Sequence, residues 1–318
     1  MVQNSPAAGF GARPLLAVTL KVASVAIFVG MSTSIKLAGL VPAGQIVFFR
    51  SLFAVVPIFI FLIYQKELST AFRTERPVGH IARGLVGVTS MYLGFFALTR
   101  LPLPEVITLN YAQPLIVVAF SALFLGEIVR VYRWSAVVIG LIGVIIIAWP
   151  KLTLFAGEKS MESGEALGVL ALLVAAVISA VAMLLVRQLV LTEKSATIVL
   201  WFSITCALAG LASLPFGWAD LSALQVLLLV AAGLCGGVGQ ILMTESYRHG
   251  DMSIIAPFEY TSMLLGIVVG YLVFNDVPTI HMIVGGAIVV GAGIFIIWRE
   301  HQLGLERGKA RKVVPPQG

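Results

Sequence analysis

One hydrophobic unit is written twice in this chain. A constant offset of 149 residues pairs Gly84 with Gly233, Gly87 with Gly236, Tyr111 with Tyr260 and Glu127 with Asp276. A membrane span needs about 20 mostly apolar residues, and each copy holds five such runs. They fall near 14–35, 45–64, 81–98, 104–126 and 134–149, then near 167–186, 197–216, 221–244, 252–274 and 279–298. Five is odd, so the second copy enters the bilayer upside down relative to the first. The fold class this predicts is an all-α integral membrane protein, ten transmembrane helices in two inverted-topology five-helix repeats. Its divisions are a first repeat over 14–150, a second over 166–299, and a basic cytoplasmic tail over 300–318.

Composition excludes the main rival, a soluble protein. Charged residues are 11% and hydrophobic residues 59%, whereas soluble chains carry about 25% charged residues. The net charge of +6 does not mark a nucleic-acid binder, because the basic residues are spread over interhelical loops. They vote instead on orientation. Fifteen Lys and Arg fall on one side and four on the other, with Lys21 and Arg50 inside apolar runs. Both termini are therefore expected in the cytoplasm, with the protein multi-pass in the cell inner membrane. The bilayer is one partner, and the tail from Arg299 to Lys312 is expected near anionic headgroups. The apolar run after Pro14 exceeds a signal-peptide core and is read as the first span. Cys206 and Cys235 have no motif spacing and read as inert thiols.

Polar residues at membrane depth are costly unless they face a cavity or a partner, so each is a functional candidate. Glu259 lies roughly seven residues into the ninth run, about 10 Å from its start, and its repeat mate is Asn110 in the fourth. Gln113 lies one turn beyond Asn110, and Ser262 one turn beyond Glu259, which gives each helix a polar stripe. Burial favours the neutral form of a carboxylate, so Glu259 is a candidate to carry a coupling proton; the structural alternative pairs it with Arg50 or Lys36. Arg50 suits either anion binding or structural pairing. Gln240 is the cavity candidate of the eighth run, deeper than Glu245. Tyr111 and Tyr260 are equivalent positions suited to stacking on a flat ring. The candidate substrate-binding set is thus Glu259, Asn110, Gln113, Gln240, Arg50, Tyr111 and Tyr260.

Other features read as structural. Lys21 and Lys36 are expected to snorkel to the interface, and Glu127 to meet Arg130 or Arg133 at a helix end. The stripes Gly233–Gly237 and Gly266–Gly270 are expected to pack within the bundle, with a homodimer contact as the second reading. Pro57, Pro114 and Pro257 mark candidate kinks. No His-Glu-x-x-His occurs, and no serine–histidine pairing is evident, so a membrane enzyme is not expected.

Several stretches carry a family resemblance. They are Arg83-Gly84, the run from Ala97 to Glu105, Pro114-Leu115, Leu125-Gly126-Glu127, Arg133-Trp134, Gly140 to Gly143 and Pro150, echoed by Ser246-Tyr247-Arg248, Ser253 to Tyr260 and Phe274-Asn275-Asp276. In order and spacing they resemble the EamA-like branch of the drug/metabolite transporter superfamily over about 14–298. That resemblance implies a central cavity, no cofactor and no nucleotide site. Asn275-Asp276 departs from the usual Gly-Glu but keeps the carboxylate. The expected function is secondary transport of a small organic molecule by alternating access, with uptake of a vitamin-like aromatic compound such as riboflavin foremost. The alternatives are export of amino acids, drugs or other metabolites, uptake of S-adenosylmethionine-like compounds, and, distantly, a scaffold or receptor without transport.

Overall fold

The computed structural model describes residues 14–125, 131–152, 164–189, 192–193, 195–249 and 256–313. All regular structure among them is helical. The first half comprises α1 (Pro14–Leu37), α2 (Ala43–Tyr64), the one-turn α3 (Leu68–Ala71), α4 (Pro77–Leu98), α5 (Leu103–Asn110), α6 (Ala112–Leu125) and α7 (Val131–Leu152). The second comprises α8 (Glu165–Leu189), α9 (Ser195–Leu211), α10 (Ala223–His249), a 3-10 segment Ala256–Tyr260, α11 (Thr261–Phe274) and α12 (Ile280–Val313). Among the described residues nine stretches are long and apolar enough to cross a membrane, with α5 and α6 joined as Leu103–Phe120. Phe258–Phe274 is a tenth, shorter apolar segment. The protein is an integral membrane protein built from two five-helix repeats. The last helix continues to Val313, through most of the predicted tail.

Helix packing obeys the inverted repeat. The close pairs are α1 with α10, α4 with α8, α2 with α9, α2 with α10, α4 with α9, α5 with α11 and α7 with α12. Exchanging the halves turns α1–α10 into α8–α4 and α2–α10 into α9–α4, and it maps the other three pairs onto themselves. Large apolar side chains such as Ile60, Ile63, Leu85, Val138, Leu227 and Leu272 point outward, as lipid-facing helix sides require. Ile46, Leu103, Leu109, Leu172 and Leu229 close one core shared by both halves.

Small residues set the closest approaches. A Cβ on Gly143 of α7 would lie 2.7 Å from the carbonyl oxygen of Gly285 on α12, and one on Gly237 of α10 would lie 2.5 Å from that of Ala54 on α2. Gly233 faces Phe53, Gly266 faces Ile107 and Gly270 faces Pro104. Both glycine stripes are thus used inside the bundle.

The prolines act unequally. Helix α2 runs through Pro57 without interruption. The fourth span breaks at Tyr111, whose N–H bonds to Thr108 three residues back. Pro114 removes the donor that would bond to Asn110 and crowds that carbonyl, which accounts for the break. In the second half the 3-10 segment ends at Tyr260, the repeat mate of Tyr111. Pro257 stands second in that segment, where its missing N–H costs little. Both repeats therefore change helix geometry at the same place, the first at a break after Asn110 and the second where the 3-10 segment passes into α11.

Asn275 ends α11 with φ of 55°, in the left-handed region. Its N–H bonds to Tyr271, and the Asp276 N–H reaches back to Gly270 at 2.9 Å. Asparagine tolerates this conformation better than most residues, which lets Asn275 end the helix. Glu127 and Arg130, and with them the predicted Glu127 helix-end pairing, lie outside the described residues.

Candidate functional site

The site forms where α1 meets the 3-10 segment of the ninth span. Lys21 is 1% exposed and pairs through its Nζ with a carboxylate oxygen of Glu259, whose side chain is 45% exposed. Snorkelling fails for Lys21 because its helix face is covered by α10. One turn on either side, α1 is tied to α10: Ser246 Oγ donates to the Ala17 carbonyl at 2.9 Å, and Ser24 Oγ donates to the Gly239 carbonyl at 2.8 Å. An ammonium pinned there has no route to water, and Glu259 supplies its countercharge. The partner of Glu259 is therefore Lys21 and not Arg50 or Lys36.

Lys36 does a separate job at the other end of α1. Its Nζ donates to the Leu101 carbonyl at 2.6 Å and lies 3.9 Å from Asp276 Oδ2. The Asp276 carboxylate also accepts from the Leu103 N–H at 3.3 Å. This cluster joins the entry of the fourth span to the exit of the ninth.

Tyr111 connects the two breaks. Its hydroxyl is hydrogen-bonded to Ser262 Oγ and lies 3.4 Å from the Glu259 carbonyl oxygen. Ser262 Oγ donates to that same carbonyl at 2.7 Å, which leaves Tyr111 as donor to Ser262. The Tyr111 and Tyr260 rings meet edge-on, 5.1 Å apart at 65°. The Tyr260 hydroxyl end occupies the space a Cβ on Gly293 of α12 would need. Carbonyls and amides freed at such breaks are available to a solute.

The remaining candidates divide. Asn110 is exposed and Gln113 half-buried on either side of the first break, and neither side chain is hydrogen-bonded among the described residues. Gln240 is half-buried next to Gly239, where α10 meets Phe28 of α1. Arg50 stands apart: its guanidinium lies against Gly236 beside Met31. Met31 is ten residues beyond Lys21, about 15 Å along α1. Glu259, Tyr111 and Tyr260 are thus brought together, Asn110, Gln113 and Gln240 lie at the same breaks or the adjoining helix, and Arg50 belongs elsewhere.

Residues outside the candidate set also matter. Lys21, expected at the interface, is buried in the bundle instead, and the apolar flanks on both its sides are the signal for that. Arg83 sits six residues inside α4, its Cζ 4.1 Å from the Phe202 ring centroid. His80 is 1% exposed and stacks on Trp201 at 5.7 Å. Cys206 is buried, Cys235 half-buried, and both are free thiols. Among the described residues no group of three His, Cys, Asp or Glu side chains is arranged to hold a metal.

The repeat architecture coincides with a family model. The EamA-like transporter family matches residues 15–149 and again 166–299. The chain belongs to the EamA-like transporter family. This transporter is 31% identical over 258 residues to the pseudopaline exporter CntI of Pseudomonas aeruginosa, covering 80% of this chain and 85% of that one. It is 25% identical over 256 residues to the S-adenosylmethionine uptake transporter of Rickettsia prowazekii, with coverage of 80% and 83%. It is 28% identical over 260 residues to a riboflavin transporter of Vibrio cholerae, with coverage of 80% and 84%. A solved crystal structure, 19% identical, shares the fold with a TM-score of 0.64 over 90% of this chain and 98% of its own. The transporter thus carries a small molecule across a lipid bilayer.

Proposed function

We propose that this transporter moves a small zwitterionic metabolite of the amino-acid type that also carries a ring, by alternating access around the Lys21–Glu259 pair. The observation that carries the reading is that pair itself, a buried ammonium joined to a partly open carboxylate beside two helix breaks. Opening a buried ion pair strands a charge, which costs about 3–5 kcal/mol when one partner is removed. A zwitterion replaces both partners at once: its ammonium takes Glu259 and its carboxylate takes Lys21. Cations or anions alone leave one charge unmet. The pair therefore selects for solutes bearing both signs, and Tyr111 with Tyr260 provides ring contact. S-adenosylmethionine, named for relatives of this chain, has that combination.

A second reading keeps riboflavin or a similar planar compound as cargo. The Tyr111–Tyr260 edge pair favours it, as do the riboflavin-transporter relatives. In either reading Asn110, Gln113 and Gln240 supply hydrogen bonds; in the second, where the solute brings no ammonium, Glu259 takes up a proton when solute displaces Lys21. The bias of basic residues supports residence in the cell inner membrane with both termini cytoplasmic.

The test is transport by the full chain in proteoliposomes, with labelled S-adenosylmethionine, methionine and riboflavin, inward and outward, with and without an imposed pH gradient. Saturable movement of a zwitterion, lost in Glu259→Gln, is the expected result. Riboflavin moving alone would transfer the assignment to the second reading. Stimulation by an inward proton gradient marks uptake, and stimulation of outward flux marks export.

A further inference from the structure

A second polar centre lies among α2, α4 and α9. Arg50 and Arg83 are each only partly exposed, and Arg50 Nε, Arg83 Nε and Arg83 Nη1 are buried without a hydrogen-bond partner. Neither guanidinium has an ion pair with a carboxylate among the described residues. Two cations without a carboxylate partner inside one membrane bundle are costly, and among the described residues only the Phe202 ring face over Arg83 offsets that cost.

Their placement converges. Arg50 is about 10 Å from the Ala43 end of α2, and Arg83 is about 9 Å from the Pro77 end of α4. Those two ends lie on opposite sides of the membrane, because α2 and α4 are antiparallel and joined at Tyr64 and Pro77. In helices about 33 Å long the two Cα atoms are about 13 Å apart along the bundle, a gap that two extended arginine arms cover. Cys206 of α9 lies at intermediate depth, within electrostatic reach of both guanidiniums. Phe202, one turn earlier on α9, covers one face of Arg83. Gly236 and Met31 wall the Arg50 side, where a Cβ on Gly236 would come 3.2 Å from Arg50 Nε.

Planar guanidinium forks match carboxylate and phosphate oxygens in pairs. We propose that Arg50 and Arg83 form an anion-binding subsite that takes a carboxylate or phosphate group of the transported solute. The subsite adds a second recognition point, about 15 Å along α1 from Lys21. It rests on the reading of the chain as a solute transporter but not on the zwitterion preference of the Lys21–Glu259 pair. Cargo with an acidic group remote from its zwitterion, or a second anionic group, is the class it favours. Its depth within three packed helices points to a solute and away from a lipid headgroup.

The experiment is thermal unfolding of the purified full chain in detergent with potassium succinate, inorganic phosphate, methionine or phosphatidylglycerol, each against potassium chloride at equal ionic strength. Succinate or phosphate is expected to raise Tm by several degrees in the wild type. Arg50→Gln and Arg83→Gln are each expected to abolish that response. Arg50→Lys and Arg83→Lys keep the charge and are expected to weaken anion binding several-fold; they serve where a Gln variant does not fold. The methionine response is expected to survive in the arginine variants and to vanish in Glu259→Gln. Loss of the methionine response with succinate binding intact would defeat the zwitterion reading alone. No anion response beyond chloride, an undiminished response in the variants, or a response to phosphatidylglycerol without one to succinate or phosphate would overturn the subsite.

Discussion

Lys21 and Glu259 lie 238 positions apart and meet as an ion pair at the junction of α1 with the 3-10 segment of the ninth span. The geometry is asymmetric. Lys21 is 1% exposed and Glu259 45% exposed, so the carboxylate is the more accessible half of the pair.

Glu259→Gln leaves the Lys21 ammonium buried without its countercharge. It is expected to cost about 2–3 kcal/mol, less than a fully buried pair because Glu259 is half-open. The double variant Lys21→Met with Glu259→Leu should regain most of that stability and still fail to transport. Unfolding in detergent and flux in proteoliposomes read the two effects separately; normal flux in the double variant would remove the pair from the mechanism.

Tyr111→Phe deletes one hydroxyl from the link to Ser262 while keeping the ring. The expected cost is about 1 kcal/mol, that of one hydrogen bond, with a larger effect on the transport rate than on solute affinity. Equal rates in variant and wild type would make the Tyr111–Ser262 contact a static strut.

Gly143→Ala should cost about 1–3 kcal/mol, since its new methyl meets the Gly285 backbone across α7 and α12. Gly94→Ala is the control, because nothing lies within 4 Å of a Cβ there. Comparable losses at both positions would mean that helix approach is not the cause.

Asn275→Val should destabilise by about 1–2 kcal/mol, because a β-branched residue resists the left-handed conformation that ends α11. Asn275→Gly should be tolerated. A stable valine variant would show that the turn has rearranged.

Glu193, outside the spans, carries a pH signature. Burial pushes its carboxyl up, but hydrogen bonds from Thr74 Oγ1 at 2.6 Å and from the Glu75 and Arg76 N–H groups at 2.9 and 3.1 Å outweigh it, aided by His80. The net effect holds its pKa below the ordinary 4.5. The folded value is depressed, so its stabilisation is complete above the unfolded pKa and fades as pH falls through the folded one. The wild-type Tm should therefore drop more steeply below pH of about 4.5 than that of Glu193→Gln. Parallel curves would assign no role to this carboxylate.

Much of the candidate site was legible in part. The match of Tyr111 with Tyr260 and of Asn110 with Glu259 followed from the repeat offset, and the two breaks fall at those positions. Pro114 announced an interruption, but the chain breaks at Tyr111 because a proline disturbs the carbonyl four residues before it. A count of basic residues could not single out Arg83, since a charge six residues into a helix adds to a loop tally whether its side chain faces water or the bundle.

Spans, their number, the inversion of the halves and the membership in a transporter fold were all determined by the linear sequence. Hydropathy is a local sum over about 20 residues, and an odd count of spans inverts a repeat however its helices rotate. What the sequence could not determine is which charge answers which. Lys21 and Lys36 stand on the same helix in similar apolar surroundings, yet one is sealed against α10 and meets Glu259, while the other reaches Leu101 and Asp276. That choice depends on helix rotation and on pairings made across the two repeats. Only the packed bundle decides them, because an ion inside a membrane is neutralised by whatever the tertiary structure places within a few ångströms of it.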